Sequence, residues 1–299
     1  MNVANKSKKE LFTIKQFNEL YPNDDSCLDK IFKDKFGTQE VCNECNNSFS
    51  YHKVSGRKCY ACAYCGTQIH PLANTIFHKS STSLKLWFFA MFLFAASKNG
   101  VSAMELQRQL GVTYKTAYRI GQQIRKLFNE SLELLKGDVE IDETYMGGKE
   151  ANKHRDKKTP NSQGRSLDTK TPIVGALQRQ GAIVAWVVGD TTSKTIKPFV
   201  VENIKFSTNV HTDEYKSYKA LTKLGYKHSK VEHGKKQWTN GNSHTNSIEG
   251  FWSQLKRSIN GTYHFVSPKH LQAYVNEFSF RYNRRNDLSP MFKSIIALV

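Results

Sequence analysis

Residues 138–148 read DVEIDETYMGG, a run with the composition of a β-strand that ends in a pair of glycines. Two further runs, TPIVGALQRQ (171–180) and GAIVAWVVGD (181–190), are rich in β-branched and apolar residues. They predict a hairpin whose turn spans residues 178–181. The chain after residue 137 therefore begins with three strands that can pair as neighbours in one sheet.

The remaining elements of this segment follow in a definite order. A helix is expected over 194–204 and a short strand over 210–212, and residues 228–232 can form another short strand. A long helix is expected to begin near Asn246, and a last one to cover about 268–284. This order predicts an α/β domain of the ribonuclease-H-like type rather than the regular alternation of a Rossmann fold.

Three acidic residues lie at the ends of these predicted elements rather than on a solvated face. Asp142 is inside the first strand, Asp213 follows the short strand, and Glu249 lies near the start of the long helix. In a ribonuclease-H-like sheet these positions converge at one edge, where three carboxylates can hold two divalent cations, Mg2+ or Mn2+, for in-line phosphodiester chemistry. Lys256 lies two helical turns after Glu249 and shares its helix face.

Other polar residues compete for these places. Glu143 is adjacent to Asp142, but successive residues of a strand face opposite sides, so only one of the two is expected to join the cluster. Glu214 competes at the second position in the same way. Asn246 shares a helix face with Glu249, and its amide oxygen is a suitable Mg2+ ligand. The sequence therefore leaves two alternatives for the third metal ligand, Glu249 and Asn246.

Cysteines form a second constellation, upstream of the sheet. Four of them make two Cys-x-x-Cys pairs separated by 16 residues: Cys42, Cys45, Cys62 and Cys65. This spacing is typical of a tetrahedral Zn2+ site, and four thiolates leave no open position, so the zinc is expected to be structural. Cys59 offers an alternative pairing with Cys62, but Gly66 favours the pair that it follows, because a small residue relieves the turn. Cys27 is expected to be an isolated buried thiol.

A helix pair is expected between these two constellations. Residues 102–127 read SAMELQRQLGVTYKTAYRIGQQIRKL and belong to two predicted helices, roughly 101–110 and 113–135, with a break at Gly111. The pair has the form of a helix–turn–helix, whose second helix can contact base edges and phosphates. The candidate DNA-binding residues are Thr113, Tyr114, Lys115, Thr116 and Arg119. An ordinary helical hairpin is the alternative.

The composition favours a nucleic-acid partner. Lys and Arg number 44 against 26 Asp and Glu, which gives a net charge of +18 and a preference for polyanions. The most apolar run, residues 86–96, has 11 residues, whereas a membrane-spanning helix needs about 20, so a buried helix is expected over 83–97. The start, MNVANKSKKE, contains no apolar signal segment. These features predict no membrane partner and a reducing compartment, in which clustered thiols hold metal.

Several motifs together resemble a known family. They are the two Cys-x-x-Cys pairs, HPLANTIFHKSSTSLKLWFFAMFLF (70–94), VTYKTAYRI (112–120), DETYMGGK (142–149), HTDEYKSY (211–218), HTNSIEGFWSQLKRSINGTYH (244–264) and KHLQAYVNEFSFRYNRR (269–285). Over essentially its whole length the chain resembles ISXO-like insertion-sequence transposases of the DDE type, which have an N-terminal zinc ribbon and are relatives of the Merlin transposons. Cys59 departs from the family pattern, in which a non-ligand aromatic residue is expected.

The resemblance implies a DNA recombinase that acts on the terminal inverted repeats of its own element. By motif, its catalytic acids fall on Asp142, Asp213 and Glu249, with Lys256 as the accompanying base, while some members use asparagine at the third acidic place. The implied partners are double-stranded DNA of the element ends and of the target. Joining two ends implies a homodimer or larger assembly on DNA, in the bacterial cytoplasm and associated with the nucleoid.

The expected organisation has four segments. They are a helical segment (1–40), a zinc ribbon (41–82), a helical region with the helix–turn–helix (83–136) and the ribonuclease-H-like transposase domain (137–299). A basic segment at 149–172 is expected to contact phosphates. Two other functions remain open: a non-catalytic DNA-binding regulator of transposase origin, and a metal-dependent, structure-specific nuclease.

Overall fold

The computed structural model describes residues 10–148, 154–159, 166–167, 169–231 and 244–299. Its helices are α1 (Ile14–Leu20), α2 (Asp24–Phe36), α3 (Leu84–Ala96), α4 (Ala103–Leu110), α5 (Tyr114–Leu127), α6 (Ser193–Asn203), α7 (Asn246–Ser258), α8 (Pro268–Asn283) and α9 (Met291–Ile296). Its strands are β1 (Tyr51–Lys53), β2 (Tyr60–Cys62), β3 (Gln68–Ile69), β4 (Asp138–Met146), β5 (Thr171–Gln178), β6 (Ile183–Val187), β7 (Asn209–Thr212) and β8 (Lys227–Lys230). Much of the predicted basic segment and the end of the predicted strand 228–232 lie outside the described residues.

The chain divides into two compact units. The first contains residues up to Leu127 together with Asp287–Val299, and the second is Phe128–Asn286. The four segments expected from the sequence remain a prediction. The structure places the last residues of the fourth segment, including α9, in the first unit.

The first unit is built around α3. Its sequence, LKLWFFAMFLFAA, is apolar on every side, as expected for a helix buried all round. Aromatic rings surround it: Phe17 of α1 lies 5.4 Å from Phe92, centroid to centroid, and Phe292 of α9 stacks on Phe12 at 4.6 Å. The predicted buried helix at residues 83–97 is therefore confirmed.

The second unit is built on a five-stranded mixed sheet with the order β6-β5-β4-β7-β8. The pairs β4–β5 and β5–β6 are antiparallel, as the predicted hairpin requires, and β4–β7 and β7–β8 are parallel. Helix α6 follows β6, and α7 and α8 follow β8 in sequence. A mixed α/β fold of this kind is compatible with a ribonuclease-H-like domain.

Strand β4 is central because both of its faces are covered. Val139 and Ile141 pack with Phe199 of α6 on one face. On the other face Met146 packs in a core that contains Phe251 of α7. A strand covered on both sides has few places for polar side chains, so each acid in DVEIDETYM needs a structural explanation.

In the part of the chain that the structure describes, no helix has both the length and the apolar character needed to cross a bilayer.

Candidate active site and cysteine cluster

The parallel pairing of β4 with β7 brings two of the predicted acids together. Asp138 lies opposite Asn209, and Glu140 lies opposite His211. Continuing this register by two residues along each strand leads to Asp142 and to the residue after β7, Asp213. Carboxyl ends of parallel neighbours meet at one sheet edge. The backbone amide of Tyr215 donates to Asp213 Oδ1 at 2.9 Å and orients that carboxylate.

Three acids form the cluster at this edge. Asp142, Glu143 and Asp213 each offer a carboxylate oxygen, and these oxygens lie within 4.8 Å of one another. Two oxygens bound to the same Mg2+ are at most about 4.2 Å apart. If these oxygens moved toward one another by at most roughly half an ångström, all three could bind one ion. Oxygen is the donor that hard cations prefer.

The expectation that only one of Asp142 and Glu143 can join the cluster is wrong. The two side chains do leave opposite faces of β4, but the paired register with β7 ends at Glu140. The longer glutamate side chain can therefore reach the edge beyond that point. Tyr218, which is fully buried, donates to Glu143 Oε2 at 2.6 Å. Burial, reinforced by the charge of Glu143, raises the pKa of Tyr218 well above 10, so it stays a donor.

Asp142 is the acid whose ionisation the cluster opposes, as its raised pKa shows. Burial raises the pKa of its carboxyl from 3.8 to about 7, and the charges of Glu143, Asp213 and Glu249 add to this increase. Close carboxylates cannot all ionise without an opposing charge. A site with this property favours a bound cation at neutral pH.

In protein without Mg2+ or Mn2+, we expect the stability of the folded state to fall as the pH rises from about 4 to about 7. The folded-state pKa of Asp142, about 7, exceeds its ordinary value of 3.8, so its contribution is present at low pH and is lost as the pH rises through 7. The effect is on the order of a few kcal/mol. Thermal unfolding at a series of pH values measures it.

The matched variant for this pH series is Asp142→Asn, which cannot ionise. It should flatten the stability profile over the same interval, and added Mg2+ should flatten that of the wild type. If the stability of Asp142→Asn changed with pH as steeply as that of the wild type, other titrating groups would be responsible for the pH dependence.

Helix α7 carries the remaining predicted site residues. Glu249 is exposed, and its Oε1 accepts a hydrogen bond from the Thr245 hydroxyl at 2.7 Å. Among the described residues it is not part of the 4.8 Å group, although its charge raises the pKa of Asp142. Asn246 begins the helix and is also exposed. The structure thus leaves Glu249, one of the two candidates for the third ligand, outside the group of three acids.

A glycine lets α7 lie close to the sheet. Gly175 of β5 is opposite Asp142, and a Cβ at this position would come within 2.6 Å of the Trp252 ring. Any larger residue would push α7 away from β4. Lys256, near the end of α7, loses part of its hydration to the surrounding protein, which lowers its pKa, while the charge of Asp142 opposes this effect.

Glu140 is a residue that the sequence reasoning missed. It is fully buried. Its Oε2 binds the start of α7, because it accepts from the amides of Ser247 and Ile248 at 2.9 and 3.0 Å. Its Oε1 accepts from Arg179 Nε at 2.8 Å. A carboxylate is favoured at a helix N-terminus because it meets unpaired amides and the positive end of the helix dipole. The one sequence feature that pointed to Glu140 was the alternation along β4, which places it on the same face as Asp142.

Glu140→Gln is expected to destabilise the second unit by about 3–5 kcal/mol, the usual cost of removing one partner of a buried ion pair. Arg179 would keep its charge without the carboxylate that accepts from it. Chemical denaturation measures the loss, with Glu133→Gln, an exposed acid of the same unit, as control. Equal stability of the two variants would show that Glu140 does not anchor α7.

The four predicted zinc ligands lie together in the first unit. Their sulfur atoms are all within 4.8 Å of one another, with Cys42 Sγ to Cys65 Sγ at 3.8 Å and Cys45 Sγ to Cys62 Sγ at 3.9 Å. Sulfurs on a tetrahedral Zn2+ with 2.3 Å bonds are about 3.8 Å apart. The cluster therefore fits a metal of this size without rearrangement.

Cys59 lies apart from the four-cysteine cluster. It is buried, and its Sγ contacts Gln68 Oε1 at 3.6 Å. Tyr51 donates to Cys42 Sγ at 3.1 Å, and this hydrogen bond lowers the pKa of the thiol. Cys27, predicted to be an isolated thiol, is fully buried, and burial raises its pKa to about 12.

The predicted helix pair is present as α4 and α5, with Gly111 in a left-handed conformation at φ +64° between them. Helix α5 ends at Leu127 rather than near residue 135. Its buried side is formed by Ala117, Ile120 and Ile124. The candidate DNA-binding residues Thr113, Tyr114, Lys115 and Arg119 are exposed, and Thr116 is half-buried.

One of these candidates has structural partners as well. The Arg119 guanidinium lies 5.8 Å from the centroid of the Trp87 ring, and its Nη2 donates to Ser80 Oγ at 3.3 Å. Lys115 is therefore the cleaner probe of DNA contact on this helix.

Known proteins give the context for these sites. The chain is 27% identical over 234 residues to an "Uncharacterized protein in transposable element ISH50" of Halobacterium salinarum, which covers 74% of this chain and 77% of the relative. It is also 27% identical over 97 residues to an "Uncharacterized transposase-like protein" of Haemophilus influenzae, covering 32% of this chain and 77% of that one.

A solved structure of a simian T-cell lymphotropic virus intasome with a PP2A regulatory subunit aligns with 58% of this chain and 60% of its own, at a TM-score of 0.28 and 14% identity, too low to support an argument. The family model described as ISXO2-like transposase domain matches residues 134–283. That match spans half of the chain and includes the whole acidic cluster and α7, and the chain therefore belongs to the family of ISXO2-like transposase domains.

Proposed function

We propose that this protein is a DDE transposase that binds the terminal inverted repeats of an insertion sequence and catalyses metal-dependent strand cleavage and strand transfer. The observation that carries the proposal is the acidic cluster of Asp142, Glu143 and Asp213 at one sheet edge, inside the segment matched by the family. The sheet order supports a ribonuclease-H-like catalytic domain, because an antiparallel hairpin precedes two parallel strands on the other side of β4.

The chain's own residues have distinct roles in this proposal. Asp142 and Asp213 would hold the catalytic cations, and Glu249, or Asn246 in its place, would be the third ligand. Glu143 supports the cluster through its bond with Tyr218. When bound, Mg2+ or Mn2+ would lower the pKa of the attacking hydroxyl and stabilise the leaving oxygen. Lys256 would contact the phosphate that lies next to the carboxylates.

The reaction consists of two phosphoryl transfers at one site. Hydrolysis at an element end breaks one phosphodiester bond and releases a 3′-hydroxyl. This hydroxyl then forms a new bond to a target phosphorus as the target's own 3′ oxygen leaves and takes up a proton. Neither transfer requires a covalent bond between protein and DNA, so the chain needs no serine or tyrosine nucleophile.

The first unit would provide DNA binding. The four cysteines would hold a structural Zn2+, and α5 would contact the element ends through Thr113, Tyr114, Lys115, Thr116 and Arg119. Residues 149–172, half of which lie outside the described residues, would contact phosphates. Two element ends require at least a homodimer on DNA, in the cytoplasm of a bacterial cell and associated with its nucleoid.

Lys115→Ala is expected to weaken binding to the element ends more than binding to random duplex DNA. Phosphate contacts act on every sequence, whereas a side chain that reaches base edges discriminates between sequences, at about 1–3 kcal/mol for a good pair. Titrations on both DNAs at several salt concentrations measure the difference. Lys126→Ala, another exposed lysine of α5, serves as control, and an equal loss on both DNAs would make α5 a scaffold helix.

A strand-transfer assay tests the proposal as a whole. DNA flanking the gene is searched for inverted repeats, and labelled duplexes that carry these ends are incubated with the protein, target DNA and Mg2+. A transposase produces both cleaved ends and joined products. Cleavage without joining would indicate a nuclease, and tight binding without cleavage a regulator.

A further inference from the structure

A cavity of about 440 Å³ lies beside the acidic cluster, at the carboxyl end of β4. Tyr145 and Gly147 from the strand end, Lys170 from the segment that enters β5, and Lys256 from α7 form part of its lining. Its volume is in the range of pockets that bind small ligands, and it is too small to take a duplex. The roles proposed above place Lys256 and the segment that contains Lys170 near phosphates, but they assign no ligand to the cavity itself.

The charge of the cavity selects for an anion. Lys170, Lys256 and His264 line it, and its described lining residues include no carboxylate. The two lysines are close enough that the charge of Lys170 lowers the pKa of Lys256. By comparison, the larger cavity of the first unit is lined by Asp29 and Asp34 as well as by lysines.

An exposed aromatic ring lies in the wall of the same cavity. Phe265 is 68% exposed, which is unusual for a side chain of its size. It follows a π-helical turn, Ile259–Tyr263, in which α7 ends. His264 has φ +60° and ψ −48°, and the amide of Phe265 donates to the carbonyl of Tyr263 at 2.7 Å. Such strained backbone persists only where the surrounding structure holds it, and π-helical turns are frequent at functional sites.

We propose that this cavity binds one unstacked nucleotide of the DNA strand that passes through the active site, with its phosphate near Lys170 and Lys256 and its base stacked on Phe265. The inference rests on the proposed transposase function. Cationic grooves combined with aromatic platforms are what single-stranded nucleic acid requires. Tyr145 lies three residues beyond Asp142, about 10 Å along the strand, so the nucleotide would lie within a few positions of the reacting phosphate.

The absence of a side chain at Gly147 lets the segment that carries Lys170 lie close to the end of β4. A Cβ on Gly147 would come within 2.6 Å of the Thr169 carbonyl oxygen and 3.1 Å of Lys170 atoms, whereas a Cβ on Gly189, which does not line the cavity, would meet nothing within 4 Å. Neither glycine has a positive φ that an alanine would resist. The two alanine variants are therefore a matched pair that differ in whether Lys170 is displaced.

Binding of defined DNAs tests the aromatic side. The probes are a blunt duplex, the same duplex with a single-stranded extension of three nucleotides, and a third in which the extension is abasic. We expect the wild type to bind the natural extension roughly tenfold more tightly than the abasic one, within the range measured for base stacking on aromatic rings. Phe265→Ala should abolish this difference and Phe265→Tyr should keep it. Phe206→Ala, which removes a phenylalanine that is 70% exposed elsewhere in the unit, should have no effect.

The glycine pair tests the phosphate side with the same DNAs. Gly147→Ala should weaken binding of both extensions relative to the blunt duplex, and Gly189→Ala should not, with unfolding curves to show that both variants are folded. Equal affinity of the wild type for natural and abasic extensions, or an equal loss in Phe265→Ala on all three DNAs, would overturn the proposal. Because these measurements do not require cleavage, a protein without transposase activity that keeps the Phe265-dependent difference would contradict the proposed function and leave the nucleotide site standing.

Discussion

Asp213→Asn and Asp142→Asn are each expected to reduce strand cleavage and strand transfer by several orders of magnitude, with DNA binding retained. Asparagine keeps the shape of the side chain and can still accept from the Tyr215 amide as Asp213 does, but it lacks the negative charge that opposes a divalent cation. The cluster has three acids whose oxygens lie within 4.8 Å, and loss of one carboxylate weakens both cation affinity and the stabilisation of the leaving oxygen. Product formation on labelled element ends measures the effect.

The control for this experiment is Glu202→Gln, which removes one exposed acid of the same unit and should leave both steps unchanged. Near-normal joining by Asp142→Asn would exclude the assignment of this edge as the catalytic site. Loss of DNA binding in parallel with activity would point to misfolding, and thermal unfolding of the variants separates that case.

The same assay decides the third ligand. If Glu249 binds a cation, Glu249→Gln should be far more damaging than Asn246→Ala, and the reverse order would assign the role to Asn246. Glu143→Gln is a third comparison: its oxygens are already near the other two acids, so a severe loss would make it a ligand rather than a support.

The order of elements in the second unit was predictable because local signals agree with the fold. The alternation in DVEIDETYM, the turn after Gln178 and the polar start of α7 each act over a few residues, and the observed β4 has the predicted bounds. The end of α5 and the assignment of α9 to the first unit were not predictable in this way. Both depend on packing between parts of the chain that are far apart in sequence.

The site was predictable only in part, for the same reason. Spacing placed Asp142 and Asp213 at strand ends, but the strand-alternation rule excluded Glu143, whose longer side chain reaches the cluster beyond the paired part of β4. Glu140 resembled any other residue of a strand, and its role depends on contacts with residues more than 100 positions later in the chain. The close approach of α7 at Gly175 could not be predicted from the sequence either, because a glycine in a strand does not indicate which residue packs against it.

Cys62→Ser is expected to release the metal from the cysteine cluster and to unfold residues 42–70. The strands β1, β2 and β3 have three, three and two residues, too few to form a stable sheet alone. In small zinc domains the metal supplies about 10–16 kcal/mol of apparent binding energy, which is also folding energy. Elemental analysis of the purified protein gives the zinc content, and limited proteolysis detects loosening of this segment.

Cys59→Ser is the matched control, because it makes the same chemical change in a neighbouring buried cysteine. Its sulfur contacts Gln68 rather than the other four thiols, so the variant should keep one zinc per chain and a protease-resistant ribbon. The two sulfur distances of 3.8 and 3.9 Å already match a closed tetrahedral site, which leaves no place for a fifth ligand. No zinc in Cys59→Ser would mean that the second pair is Cys59 and Cys62 and that the turn at Gly66 does not define the knuckle. One zinc per chain in Cys62→Ser would exclude Cys62 as a ligand in either pairing.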